Sequence, residues 1–405
     1  MKTCCWFIGT LLAAAGISPA AHPETHWLTG PDGKRFFPIG LYDFPQGRTD
    51  DAVYREAHGA GFNFLVGKEA RLGFVRSFDI QSGPPDPDAR SRRGSLLDLS
   101  GQPARKRGLL EEMVARYESA PGVVVWQGPD EPNYFPFGIR PGPAPAGLAA
   151  GASVLKSKSK HPLWINFGPT GDDVAPDDFD RLRPYLAVPD VVSVDIYPIG
   201  GGCDVQMSPF AERGPACVGV VTRNLVRMVS RDGVPQKPVW MVLQAFGWGD
   251  LAKASKPPQP WTGPPPTYAE IRFMTFDAII NGASGVIYWG ARFLPRDDGT
   301  WESLKSVAAE LHELQPILTG DLRAADQIVK PSNPAIEVAV RSAGGTLFLL
   351  LANTAQTTEK TTLLFHGIKV KTLKPVRNTR VNGPDTPTSP LTLEPLQVVL
   401  LAIEA

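Results

Sequence analysis

The sequence predicts a parallel (β/α)8 barrel followed by a small all-β sandwich domain, and three observations carry that expectation. Apolar, strand-like runs alternate with helical patterns over most of the chain, the order of a parallel sheet wrapped by its own helices. About eight such strands fit into roughly 280 residues, the usual length of a (β/α)8 barrel. After Gly320 the pattern changes to short alternating runs joined by Gly, Asn and Pro turns, with no helical period among them. A doubly wound sheet shares the alternation, but the nucleotide turn that belongs to it is missing.

Phe36 to Phe44 reads as the first strand, and Asp50 to Gly61 as an amphipathic helix closed by a glycine cap. Phe62 to Gly67 is the second strand. The third is expected at Gly73 to Ile80, ahead of a Pro-, Gly- and Arg-rich stretch from Gly83 to Arg107 that is more loop than element. Lys106 to Ser119 carries a helical period and leads into the fourth strand, Val123 to Gln127. Leu163 to Phe167, Val191 to Ile196, Pro238 to Gln244 and Gly285 to Trp289 supply strands five to eight. Their apolar runs suit strands buried on both faces. Ile336 to Val340, Thr346 to Ala352, Lys360 to Phe365 and Leu396 to Ile403 then predict the β-sandwich, whose expected role is a structural cap on the barrel.

Lys2, the apolar run from Cys5 to Ile17 and the small residues Ser18-Pro19-Ala20-Ala21 form the pattern of a secretory signal cleaved after Ala20 or Ala21. Residues 1–21 are therefore expected to be a signal peptide, residues 22–320 the barrel and residues 321–405 the β-domain. The mature chain is expected to be secreted or periplasmic. The apolar run is too short and too rich in small residues to span a bilayer. Loss of Cys4 and Cys5 leaves Cys203 and Cys217, an even pair in an oxidising compartment, and a disulfide between them is expected, with two buried thiols as the alternative.

Forty-one basic residues balance 41 acidic ones, and zero formal charge argues against a nucleic-acid partner. The six histidines, at 22, 26, 58, 161, 312 and 366, show no metal-ligand spacing. A phosphate-binding glycine loop and a Gly-x-Ser-x-Gly turn are also missing, so neither a metal nor another cofactor is expected.

Chemistry concentrates at the strand ends. The run Val123-Val124-Val125-Trp126-Gln127 breaks at Gly128-Pro129 and leaves Asp130 and Glu131 where the chain must turn out of the strand. In a parallel barrel that is the catalytic rim. Asp-Glu-Pro alone is a weak signal, because the same tripeptide opens helices with Asp as N-cap. Other ends repeat the pattern: Tyr42 and Asp43 follow strand one, Lys68 and Glu69 strand two, and Asp195 and Tyr197 belong to strand six. Gln244 and Trp248 mark strand seven, and Trp289 strand eight. A polar pocket walled by aromatic rings suits a sugar, which needs hydrogen bonds for its hydroxyls and apolar faces against its ring. Asp195 lies inside an apolar strand, where an unpaired charge is costly, so it is either ion-paired, for example to Lys68 or an arginine, or functional.

The segments Trp126 to Pro132, Ser193 to Pro198, Lys237 to Gln244 and Asn281 to Gly290 resemble the glycoside hydrolases of clan A, over about residues 33 to 320. The small β-domain is similar to those that follow such barrels. The resemblance implies that Glu131 is the general acid/base, and that Asp130 stands where the clan has an Asn that contacts the sugar 2-hydroxyl. It also implies that Gln244 stands where the clan has its nucleophile Glu, and an amide is a poor nucleophile. Three accounts remain open at this point. Asp195 supplies the second carboxylate, as nucleophile or as base for a water. Asp130 shares the site with Glu131, although adjacent residues leaving a strand point in different directions. Or the barrel binds glycans without cleaving them. Asp43, Glu69 and Asp79 are further sources of a carboxylate. The resemblance implies a secreted glycoside hydrolase acting on an oligo- or polysaccharide with Glu131 as general acid, and of the three accounts the expected one has Asp195 as partner carboxylate. Asp130, Tyr42, Asp43, Lys68, Tyr197, Gln244, Trp248 and Trp289 are then expected to bind the sugar, with no cofactor.

Overall fold

The computed structural model describes residues 27–67, 72–80, 95–101, 103–133, 142–168, 182–200, 211–231, 234–295, 299–377 and 389–404. Within them a closed barrel of parallel strands is built from β1 (Ile39–Leu41), β2 (Phe64–Leu65), β3 (Val75–Asp79), β4 (Val123–Gln127), β5 (Leu163–Phe167), β6 (Val191–Ile196), β7 (Val239–Gln244) and β8 (Gly285–Trp289). Neighbours in sequence are neighbours in space, and β8 pairs with β1 to close the ring, Tyr288 lying opposite Leu41. The sandwiching helices are α1 (Asp51–Gly59), α2 (Pro103–Tyr117), α3 (Pro145–Lys158), α4 (Cys217–Met228), α5 (Trp248–Ala254), α6 (Tyr268–Ile280) and α7 (Gly299–Glu313). Among the described residues, a four-residue helix, Arg183–Leu186, stands between β5 and β6, and no helix separates β2 from β3.

The first strand is shorter than its apolar run suggests. Pro38 has no N–H for the ladder, and Arg35–Phe36 pairs instead with Leu28–Thr29 in a separate two-stranded ribbon. Asn63 pins the start of β1, accepting from Ile39 N at 2.8 Å and donating to Phe37 O at 3.1 Å. Inside the barrel, Phe64, Trp164 and Trp240 fill the axis, with ring centroids 5.4 Å apart for Phe64–Trp240 and 5.3 Å for Trp164–Trp240. Side chains alternate along a strand, so the residue two positions after an inward one also points inward, one layer nearer the rim. Trp164 is therefore followed by Asn166, and Ser193 by Asp195.

After the barrel, β9 (Asp321–Arg323), β10 (Ile336–Ala343), β11 (Thr346–Asn353), β12 (Thr372–Pro375) and β13 (Val398–Glu404) form one antiparallel sheet in the order β9-β10-β11-β13-β12. Its far face is covered by two ribbons, Val329–Pro331 with Leu363–Phe365 and Glu359–Thr361 with Leu391–Leu393, around a core that includes Val340, Leu349, Leu351 and Leu401. The run Lys360 to Phe365, expected as one strand, is thus divided between two partners, and Thr362 N turns to Ser332 Oγ at 2.9 Å. Leu396 has a left-handed backbone, φ 61°, and the last strand begins after it. The near face, including Ala339, Leu350, Ala352 and Leu400, joins the core of the barrel helices. Arg272 of α6 donates to both oxygens of Glu310 at 2.7 Å and to Val398 O at 3.1 Å, and Arg223 of α4 pairs with Glu337 of β10 at 3.1 Å.

Cys217 is buried at the start of α4. Its expected partner Cys203 lies outside the described residues, as do residues 1–21, Lys68 and Glu69. Among the described residues no helix is long and apolar enough to cross a membrane.

Candidate active site

The rim beyond the C-terminal strand ends holds a cavity of about 260 Å³ lined by Asp130, Glu131 and Asp195 together with Tyr42, Asn166 and a set of aromatic rings. Two of the carboxylates arrive there through the turn after β4. Gly128 follows the strand, and a Cβ at that position would lie 2.8 Å from Ile165 Cγ1, so only glycine lets the chain pass. Glu131 then takes a left-handed backbone, φ 47°, with its N–H donating to Asn166 O at 2.9 Å. For a residue with a side chain that conformation costs on the order of 1–3 kcal/mol. It also turns Glu131 to the same side as Asp130. The divergence expected of adjacent strand residues fails here because both lie past the end of the ladder.

A single amide organises the charges. Trp164 Nε1 donates to Ser193 Oγ at 2.8 Å, and Ser193 Oγ donates to Asn166 Oδ1 at 2.7 Å, which fixes the direction of the Asn166 amide. Asn166 Nδ2 is thereby left to donate to Asp130 Oδ1 at 3.1 Å and to Asp195 Oδ1 at 3.2 Å. The Asp195 carboxyl is also hydrogen-bonded to the Glu131 carboxyl. Burial first, and then the neighbouring charge of Asp130, push Asp195 up to about 7, against the hydrogen bonds from Glu131 and Asn166 that favour its ionised form. Asp195 therefore keeps a proton close to neutrality.

The aromatic wall is continuous. Tyr197 stacks on Trp289 with centroids 5.3 Å apart and planes 19° from parallel, and Phe246 meets both edge-on at 5.2 and 5.1 Å. Trp248 follows at 5.1 Å from Phe246, and Trp261 at 5.7 Å from Trp248. Among the described residues, the Tyr42 hydroxyl and the Trp248 indole N–H are buried with no hydrogen-bond partner. Burial and the nearby carboxylates hold both Tyr42 and Tyr197 well above the usual phenol range, so their hydroxyls stay protonated.

Of the residues expected at the site, Glu131, Asp195, Asp130, Tyr42, Tyr197, Trp248 and Trp289 line this cavity. Gln244 does not, and its expected role in sugar binding is corrected. Its side chain is fully buried, accepting from Ile199 N at 2.8 Å and donating to Ile199 O at 2.8 Å and Phe246 O at 2.9 Å. The amide ties β7 to the segment after β6 and has no group left for a ligand. Asp43 faces a neighbouring groove of about 400 Å³ that shares Tyr42 and Trp289 with the cavity, where it accepts from Arg292 N at 3.1 Å. The strand-end pattern missed Asn166, Phe246 and Trp261. Asn166 carries the same signal as Asp195, a polar residue inside an apolar strand, whereas Trp261 sits in a Pro-rich stretch with nothing to mark it. A larger cavity, about 630 Å³, opens at the opposite end, near Gly122, Pro162 and Pro238 ahead of the strands. That face of a barrel serves stability rather than chemistry. Among the described residues no group of three or more His, Cys, Asp or Glu side chains is arranged to hold a metal ion.

No protein-family model matches the chain, and no curated protein matches it in sequence. Solved structures do match in fold. The α-amylase of Geobacillus thermoleovorans, solved with acarbose, is 10% identical, with 91% of this chain and 98% of that chain covered and a TM-score of 0.53. A glycoside hydrolase family 5 protein from Bacteroides vulgatus is 13% identical over 92% and 90% of the two chains, with a TM-score of 0.52. An Anoxybacillus α-amylase is 11% identical over 87% and 89%, with a TM-score of 0.51. What these proteins share with the chain is the architecture: a (β/α)8 barrel, here followed by a β-domain.

Proposed function

We propose that this protein is an exported glycoside hydrolase that cleaves an O-glycosidic bond in an oligo- or polysaccharide, with Glu131 as general acid and Asp195 as its partner carboxylate. The observation that carries the reading is the hydrogen-bonded contact of these two carboxyls inside an aromatic-walled cavity at the barrel rim. A carboxyl pair that keeps one proton near neutrality holds both halves of the chemistry, a proton for the leaving oxygen and a charge for the attacking side. A sugar entering between them separates the pair, and its glycosidic oxygen replaces Asp195 as the acceptor of the Glu131 proton. As that proton arrives, the C1–O bond breaks and the oxygen of a water becomes bonded to C1. The proton lost by the water returns to the carboxylate pair.

The test is hydrolysis of a panel of aryl glycosides and polysaccharides by the mature protein and by its Glu131→Gln variant. The wild type is expected to cleave at least one member, and the variant to fold while losing at least about a hundredfold in rate, because the amide keeps the shape and lacks the transferable proton. Near wild-type turnover by the variant removes Glu131 from the mechanism. One observation favours a second reading, a glycan-binding barrel without activity: the β7 side chain is the buried amide of Gln244, so that strand offers no carboxylate to the rim. Glycan binding by the wild type with no turnover of any panel member selects that reading.

A further inference from the structure

We infer that the cavity selects a sugar carrying an ammonium group, a hexosamine residue, with Asp130 as the side chain that recognises it; the inference rests on the hydrolase reading above. Hydrolysis occupies two carboxylates, and Asp130 is a third on the same wall. Asn166 Nδ2, at 3.1 Å from its Oδ1, sets the orientation of that carboxylate and ties it to Asp195 through the same amide. A carboxylate only accepts hydrogen bonds, so at this position it favours a ligand group that donates, and a charged donor above a neutral one.

The rings point the same way. Trp248 is 1% exposed and lines the cavity, and among the described residues its indole N–H has no partner; the buried hydroxyl of Tyr42, on the same cavity, is also without one among them. Both are donors that call for oxygen acceptors, so the occupant offers hydroxyls as well as a cation. The stacked Tyr197 and Trp289 add an apolar wall suited to the C–H face of a sugar ring, Trp289 already carrying the Arg292 guanidinium 5.6 Å from its centroid. An ammonium at Asp130 would also offset the charge that opposes ionisation of Asp195.

The experiment compares 4-nitrophenyl glycosides of glucosamine, galactosamine and mannosamine with their N-acetylated and neutral counterparts, in both anomers, at pH 6. Calorimetry of the free sugars on the full-length Glu131→Gln variant accompanies it. The wild type is expected to favour an aminoglycoside over the matching neutral glycoside by at least tenfold in kcat/KM, and Asp130→Asn to reduce that ratio at least tenfold, whatever happens to the absolute rates. The free amino sugar is expected to bind the Glu131→Gln variant more tightly than its neutral and N-acetylated forms. Hydrolysis of neutral glycosides with no amino preference overturns the inference and leaves the hydrolase standing. An amino preference that survives Asp130→Asn removes Asp130 from recognition. Absence of turnover across the whole panel overturns both.

Discussion

Asn166 Nδ2 holds Asp130 and Asp195 within hydrogen-bonding reach of one amide, and Glu131 completes the contact from its left-handed turn. Like charges gathered this closely oppose one another's ionisation, and Asp195 keeps its proton up to about pH 7. Two expectations follow at this scale. Glu131→Gln and Asp195→Asn should each remove at least about a hundredfold of hydrolytic rate, and the double variant should be little worse than either, since residues that act as a unit are not additive. Rate measurements on the three variants decide it. The second concerns pH. The folded-state value of Asp195, about 7, lies above the 3.8 of an ordinary Asp, so from about pH 4 to 7 the folded protein keeps a proton that the unfolded chain has released. Stability from this residue is present in full below about pH 4 and lost as the pH rises through 7. Asp195→Asn cannot ionise, so its urea midpoint should gain on the wild type as pH rises across that window, and a constant difference would contradict the assignment. Activity that depends on the shared proton should fall through the same upper limit.

At the scale of elements, the Gln244 side chain ties β7 to the segment after β6 through two hydrogen bonds to the backbone of Ile199, with a third to Phe246 O. Gln244→Ala should cost on the order of 3 kcal/mol, because buried backbone groups lose their partners. Gln244→Glu is the sharper test. A carboxylate there would face the carbonyls of Ile199 and Phe246 instead of donating to them, so the variant should lose stability and gain no activity. A rise in turnover would show that β7 can supply a nucleophile after all. The proposed Cys203–Cys217 bridge also belongs to this region, since Cys217 opens α4 after β6. Closing a loop of this length removes unfolded-state freedom worth on the order of 3 kcal/mol. The mature protein, denatured without reductant, should titrate no free thiol, and two thiols would rule the bridge out.

At the scale of the whole molecule, barrel and β-domain share one core. Ala339, Leu350, Ala352 and Leu400 of the sheet pack with the barrel helices, and Arg272 and Arg223 reach across to Val398 and Glu337. A chain ended at residue 320 would leave the apolar faces of α4 and α6 bare, and should aggregate or lose cooperative unfolding by calorimetry. Recovery of a fully stable barrel would show that the β-domain is an independent appendage. The sequence by itself determined the barrel, because strands buried on both faces must be written as apolar runs, and each run from Val123–Gln127 to Gly285–Trp289 became a strand within a residue of its expected bounds. It also marked Asp130, Glu131 and Asp195, since a charge at a strand end or inside an apolar strand stands out against its surroundings. Tertiary structure alone decided which of them meet. Whether Gln244 faced the rim or the backbone of Ile199 depended on a segment 45 residues away, and whether Glu131 joined Asp130 depended on one positive φ. Contact between carboxyls from different strands is set by barrel register and by a bridging amide from a third strand, and no local pattern along the chain encodes it.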